Sequence, residues 1–128
     1  MIISFSNELV VAGRLLLGGA FVFAGLRNIQ NRAVVTEIMK ARGVRRAGAV
    51  FLLGVGVQAA AGLSLAAGIR TAEMAAVLLL FVIAATVMFH NFWDYQGQDR
   101  ASRINSLVGN VAITGGLIVL IAGAMERP

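Results

Sequence analysis

The sequence of 128 residues contains no cysteine, and only 13% of its residues are charged. The absence of cysteine excludes disulfide bonds, thiolate metal sites and iron–sulfur clusters built from this chain. Proline occurs once, as the last residue, so no proline interrupts a helix inside the chain. Histidine also occurs once, at position 90, which excludes a metal or haem site made of several histidines. We therefore predict no metal centre.

Apolar residues are in excess: they make up 59% of the chain, against roughly 45–50% in soluble globular domains. A soluble domain of this size leaves too much surface exposed to bury so many apolar side chains. The high apolar content and low charge also exclude intrinsic disorder. The composition is typical of an integral membrane protein, whose first partner is the lipid bilayer.

Four apolar runs have the length of a membrane-spanning helix, which needs about 20 residues. They extend over residues 9–26, 47–69, 74–93 and 104–125. Short connections predict that neighbouring helices are antiparallel, and only the first connection is longer. The expected fold is an all-α integral membrane protein, an antiparallel four-transmembrane-helix bundle that forms a single domain over residues 1–128.

The longer first connection has its own helical pattern over residues 33–42. Val34, Val35, Ile38 and Met39 recur at helical spacing, polar residues occupy the other side, and Gly43 is suited to end a helix. We predict a short amphipathic helix at the membrane interface, between spans 1 and 2. A partly ordered loop is the alternative.

The formal net charge of +5 is unevenly distributed. Six of the eleven basic residues lie in the 20 residues from Arg27 to Arg46. We interpret this segment as a topology signal and a contact for anionic lipid, and we expect no nucleic-acid partner. Together with Arg100 and Arg103, the first and third loops carry eight basic residues, against Arg70 and Arg127 on the other side. The positive-inside rule predicts a multi-pass plasma-membrane protein with loops 1 and 3 in the cytoplasm and both termini outside.

Polar side chains inside the spans are candidate functional residues, because each costs free energy in the bilayer unless it is paired. Arg14, Arg70 and Glu73 lie towards the outer end and Gln58 lies near the middle of the second span; together they form a candidate buried polar or ion-pair site. Two interpretations of Arg14 are open: an ion pair with Glu73 or Glu8, or a fixed guanidinium that contacts an anion or a quinone carbonyl. Gln58 either bridges two helices or lines a small polar cavity.

A second group of polar residues, His90, Trp93 and Asn110, lies towards the inner end. A histidine at this depth can exchange protons near neutral pH or donate a hydrogen bond to a quinone oxygen. The alternative is that His90 is hydrogen-bonded to Asn110 or a backbone carbonyl and that Trp93 belongs to an aromatic belt. Arg14 and His90 are separated by roughly 18 Å in depth, so they do not form one catalytic pair.

The pattern resembles the DoxX family of small four-span bacterial membrane proteins over nearly the whole chain. The His-x-Phe-Trp element at 90–93 and the Asn-x-Ala-x-x-Gly-Gly element at 110–116 are its more specific parts. The complete matching segments are residues 13–18, 23–26, 62–71, 85–93 and 110–117. One departure is that family members usually carry a glutamate four residues before Gly62, where this chain has Gln58. An amide keeps the hydrogen bonding but cannot release a proton.

The resemblance implies a bacterial inner-membrane subunit associated with a redox or respiratory-type complex, with other membrane protein subunits as partners. It implies at most a membrane component of an oxidoreductase, and quinone is the cofactor it suggests, near His90, Trp93 and Asn110. A non-catalytic accessory or assembly subunit of a larger complex is the alternative. A small transporter in which Arg14 binds an anion is a third hypothesis.

Overall fold

The computed structural model describes residues 5–89 and 95–126, and every regular element in these ranges is an α-helix. The helices are α1 (Ser6–Gln30), α2 (Arg32–Ala41), α3 (Ala47–Ala67), α4 (Thr71–Phe89) and α5 (Gly97–Met125). Four of them, α1, α3, α4 and α5, are long and apolar enough to cross a membrane. The predicted four-span helical membrane fold is confirmed. A helix, not a loop, connects the first two spans.

Two of the helices extend well beyond the apolar runs that predicted them. α1 continues four residues past Leu26 to Gln30, and α5 begins at Gly97, seven residues before Ile104. Polar residues at a helix end remain helical once they are outside the hydrocarbon, because the backbone hydrogen bonds continue. Hydropathy therefore marks the part of each helix that lies in the bilayer and not the whole helix.

The directions of the spans follow from the residues that come together at each end of the bundle. At one end, the first half of α1 lies with the end of α3, the start of α4 and the end of α5. At the other end, the last turn of α1 lies with α2, the first half of α3 and the end of α4. Successive spans are therefore antiparallel. We call these two ends the α3–α4 end and the α2 end.

The core is centred on Leu65, Leu78 and Leu117, one from each of α3, α4 and α5, all at 0% exposure. Phe21 of α1 joins the same cluster. α3 packs against α1 on one side and α4 on the other, and α4 packs against α5. α1 and α5, in contrast, do not pack along each other. The order of the helices is therefore α1, α3, α4, α5, with a gap between the first and the last.

The contact between α1 and α3 is a close approach of two backbones at Gly18 and Gly62. A Cβ on Gly18 would collide with the carbonyl oxygen of Gly62 and lie 2.7 Å from the Ala66 amide nitrogen. A Cβ on Gly62 would lie 2.9 Å from the Gly18 carbonyl oxygen. Small residues allow such contacts between helices in lipid, where dispersion forces replace the hydrophobic effect as the main attraction.

The apolar side of α2 rests on the other helices. Met39 is 4% exposed and belongs to a second buried cluster with Phe51 and Val55 of α3, against which Met88 of α4 also packs. The polar side of α2 points outward and carries an ion pair between Lys40 and Glu37, with 3.4 Å between Nζ and Oε1. The amphipathic pattern in the first connection therefore reflects packing onto α3 and α4.

Candidate functional site

A cavity of about 190 Å³ lies at the α2 end, bounded by α1, α2, α3 and α4. Its walls are mainly apolar and include three phenylalanine side chains, Phe51, Phe81 and Phe89. Two amide side chains, Asn28 of α1 and Gln58 of α3, also line it. We call this cavity the amide pocket.

Gln58 is the buried polar residue of the amide pocket, with 3% of its surface exposed. Asn28 Nδ2 donates a hydrogen bond to Gln58 Oε1 over 3.2 Å and so joins α1 to α3. Among the described residues, Oε1 is the atom of the Gln58 side chain that is hydrogen-bonded. The two hydrogens on Nε2 can therefore be donated to another acceptor. Gln58 thus both bridges two helices and lines a cavity.

The carboxyl end of α4, next to the amide pocket, is held by two arginines. Arg42 Nη2 donates to the Val87 carbonyl over 3.3 Å, and Arg103 Nη1 donates to the Phe89 carbonyl over 2.7 Å. The Arg103 guanidinium also lies 3.7 Å from the centroid of the Tyr95 ring. Carbonyls at the end of a helix lack partners in the helix and carry its negative dipole charge, which favours these contacts. From the sequence, Arg42 and Arg103 were interpreted only as basic residues of the first and third loops.

Of the predicted inner site of His90, Trp93 and Asn110, the structure describes Asn110. His90 and Trp93 lie outside the described residues, directly after the end of α4. Asn110 lies on α5, where its Nδ2 donates to Thr86 Oγ1 of α4 over 3.0 Å. The amide nitrogen of Asn110 is therefore engaged in joining α4 to α5, and Asn110 does not line the amide pocket.

A larger cavity, of about 970 Å³, lies at the α3–α4 end in the gap between α1 and α5. Arg14, Arg70 and Glu73, which the sequence placed towards one end, all line it. Gln58, which belonged to the same predicted polar site, lies in the amide pocket instead. We call the larger cavity the arginine cleft.

The Arg14 guanidinium lies against the C-terminal turn of α3. Gly68 there has a φ of 78°, and the turn is closed by hydrogen bonds from Ile69 N to Ser64 O over 2.9 Å and from Gly68 N to Leu65 O over 3.1 Å. A side chain on Gly68 would collide with Arg14 Nη1. The negative end of the α3 dipole favours a cation at this place. Within the described residues, the buried Nε of Arg14 has no hydrogen-bond partner.

The predicted ion pair between Arg14 and Glu73 is not formed, although both residues line the arginine cleft. Among the described residues, no ion pair within 4 Å involves Arg14 or Glu73. The Arg14 guanidinium lies instead against Gly68 at the carboxyl end of α3. Glu73 is exposed in the first turn of α4, where the positive end of the helix dipole already stabilises its carboxylate.

Comparison with protein families gave a match over much of the chain. The DoxX family model matches residues 9–91, which is well over half of the 128-residue chain. The chain belongs to the DoxX family. The match includes every lining residue of the amide pocket and ends before α5. With its four spans, this DoxX protein is a multi-pass membrane protein. Comparison with curated proteins and with solved structures gave no match.

Proposed function

We propose that this DoxX protein is a membrane subunit of a redox or respiratory-type complex and that its amide pocket holds the ring of a lipid-soluble quinone. The observation that supports the proposal is the buried Gln58 amide, whose Nε2 has hydrogens to donate inside a pocket lined by phenylalanines. A quinone ring offers the matching groups, namely carbonyl oxygens that accept hydrogen bonds and an apolar ring face.

The size of the amide pocket limits what can bind there. At about 190 Å³ it is smaller than the roughly 300–1,000 Å³ of pockets that enclose drug-sized ligands. A single ring fits this volume, and the hydrocarbon tail of a quinone would then remain in the bilayer. The pocket therefore selects for the ring and its oxygens.

The residues of the amide pocket would bind and orient the ring. A bound quinone supplies two-electron redox chemistry. Gln58 Nε2 donates to one ring oxygen, Asn28 holds the Gln58 side chain in place, and the phenylalanine side chains exclude water. Gln58 cannot release a proton, so proton exchange falls to another group. His90 is our candidate, because it is the only histidine and directly follows Phe89, which lines the pocket.

Electron transfer would depend on partner subunits. With no cysteine and one histidine, the chain by itself cannot ligate an iron–sulfur cluster or a bis-histidine haem. We propose that it works in the bacterial inner membrane with loops 1 and 3 in the cytoplasm, so that the amide pocket lies in the cytoplasmic half of the bilayer. The exposed arginines at positions 27, 32, 45 and 46 would then contact anionic lipid.

The test is to purify the protein in a mild detergent and to measure extracted quinone per protein. Gln58→Leu removes the donor at nearly constant volume, and Gln30→Leu is the matched control, because Gln30 is exposed at the same end and does not line the pocket. We expect Gln58→Leu to weaken quinone binding about tenfold and Gln30→Leu to leave it unchanged. Absence of quinone from the wild-type protein, with unchanged electron transfer in membranes carrying His90→Ala, would end the proposal.

One observation favours the alternative of an accessory or assembly subunit. α5 has a single buried residue, Leu117, among its 29 residues. Its Gly109, Gly115 and Gly116 each have open space within 4 Å of the position of a Cβ, so another helix could approach closely there. Cross-linking in native membranes, followed by purification, distinguishes this role. Recovery of the protein only as a free monomer contradicts it.

A further inference from the structure

We infer that the arginine cleft binds an anionic amphiphile, with its phosphate or carboxylate head at Arg14 and its hydrocarbon chain between α1 and α5. The site lies at the opposite end of the bundle from the amide pocket and does not depend on the redox proposal.

The charges in the arginine cleft favour an anionic head group. Arg14 and Arg70 contribute two positive charges, against one negative charge from Glu73. The first residues of α4, Thr71 and Ala72, also line the cleft, and amide groups in a first helical turn lack partners within the helix. The cleft therefore has a net positive charge and free amide donors, and both favour an anion.

The Arg14 guanidinium also has unused capacity for an anion, because it forms no ion pair within the described residues. Its Nε is buried and has no hydrogen-bond partner within residues 5–89 and 95–126. The adjacent Gly68 leaves the space that the guanidinium occupies. Because Nε is buried, a phosphate or carboxylate in the cleft would accept its two parallel hydrogen bonds from Nη1 and Nη2.

The walls of the cleft favour an amphiphile over a free anion. Leu17 of α1 and Val119 and Leu120 of α5 line it, and both leucines also pack against the core, which closes the cleft towards the middle of the bundle. α1 and α5 do not pack along each other, so the cleft is open to hydrocarbon between them. Its volume of about 970 Å³ is at the upper end of ligand pockets, which leaves room for a head group and part of a chain.

The first experiment measures binding by thermal unfolding of the full chain in dodecyl maltoside, with dodecyl phosphate or inorganic phosphate added. We expect dodecyl phosphate to raise the unfolding temperature and inorganic phosphate to leave it unchanged at the same concentration. Arg14→Gln should weaken dodecyl phosphate binding about tenfold or more. Glu73→Gln should strengthen it, because Glu73 is the only acidic residue among the described residues that line the cleft.

The second experiment places a larger side chain in the cleft and leaves Arg14 and Arg70 unchanged. It therefore tests binding in the cleft even if Arg14→Gln fails to fold. Gly116 and Gly115 are neighbours on α5, and neither has an atom within 4 Å of the position of a Cβ. Only Gly116 lines the cleft. We expect Gly116→Leu to abolish stabilisation by dodecyl phosphate and the matched control Gly115→Leu to preserve it.

Four results would overturn the inference. Equal stabilisation by inorganic phosphate would indicate a site for free anions, and equal losses in Gly116→Leu and Gly115→Leu would place binding outside the cleft. If Arg45→Gln weakened dodecyl phosphate binding as much as Arg14→Gln, the attraction would come from surface charge alone, since Arg45 is exposed at the α2 end. Conversion of a dimer to a monomer by Gly116→Leu would show that a second copy of the chain occupies the cleft.

Discussion

Replacing Gly18 by alanine tests the closest contact in the fold, where α1 and α3 meet. The added methyl group would overlap the Gly62 carbonyl oxygen and lie 2.7 Å from the Ala66 nitrogen. These neighbours are backbone atoms of a helix, so they cannot move aside as a flexible side chain can. We expect α1 and α3 to separate locally, with loss of packing around the contact.

The size of the effect can be isolated with Gly19→Ala as the matched control. Gly19 is exposed and has no atom within 4 Å of the position of a Cβ. Both substitutions gain the same preference of alanine for helix, worth up to about 1 kcal/mol, so this term cancels between them. The remaining difference is the steric cost, which is about 1–3 kcal/mol for overpacking. Gly18→Ala should therefore be less stable than Gly19→Ala by about that amount.

A suitable assay is unfolding in mixed micelles as the fraction of dodecyl sulfate rises, followed by circular dichroism. Gly62→Ala should give a smaller loss than Gly18→Ala, because its nearest atoms would be 2.9 and 3.0 Å away. The double variant should lose less than the sum of both, since separation of the helices relieves both contacts at once. Equal stability of Gly18→Ala and Gly19→Ala would refute the close approach itself.

Two further experiments test the contacts that join α5 and α1 to the rest of the bundle. Asn110→Val and Thr86→Val, combined in a double-mutant cycle, should give a coupling energy of about 0.6 kcal/mol, as is typical of hydrogen bonds between spans; additive losses in the same dodecyl sulfate assay would contradict the bond. Gly68→Ala places a side chain both at a φ of 78° and against Arg14, so we expect a loss of about 1–2 kcal/mol from the backbone alone. Gly68→Ala in an Arg14→Gln background should cost less than in the wild type, and an unchanged cost would show that the two residues do not touch.

The sequence predicted the spans because apolar runs of this length have few alternatives in a chain with so little charge. It predicted residues 33–42 as helical, and α2 covers Arg32–Ala41. The ends of α1 and α5 were missed, because hydropathy does not report on helix that continues into the polar region. The sequence predicted α2 as an amphipathic interfacial helix, and the structure adds that its Met39 is buried against α3. Periodicity reveals an apolar side but not which surface covers it.

The polar residues were found from the sequence, but their partners were not. Gln58 stood out as an amide in an apolar run, yet its pairing with Asn28 depends on how α1 crosses α3. Arg14 and Glu73 were correctly placed towards the same end, and opposite charge alone suggested that they pair. The sequence does not show that the Arg14 guanidinium lies against the carboxyl end of α3, where the negative end of the helix dipole favours a cation.

The gap between α1 and α5 makes the two cavities mechanically different. The amide pocket is bounded by α1, α2, α3 and α4, and α3 packs against each of the other three helices. The arginine cleft has α5 as one wall, and α5 is anchored mainly to α4. A small change in the tilt of α5 therefore alters the width of the cleft and leaves the amide pocket as it is. If both cavities bind the ligands we propose, selectivity at the pocket would come from shape, whereas selectivity at the cleft would come from charge and would tolerate chains of different thickness.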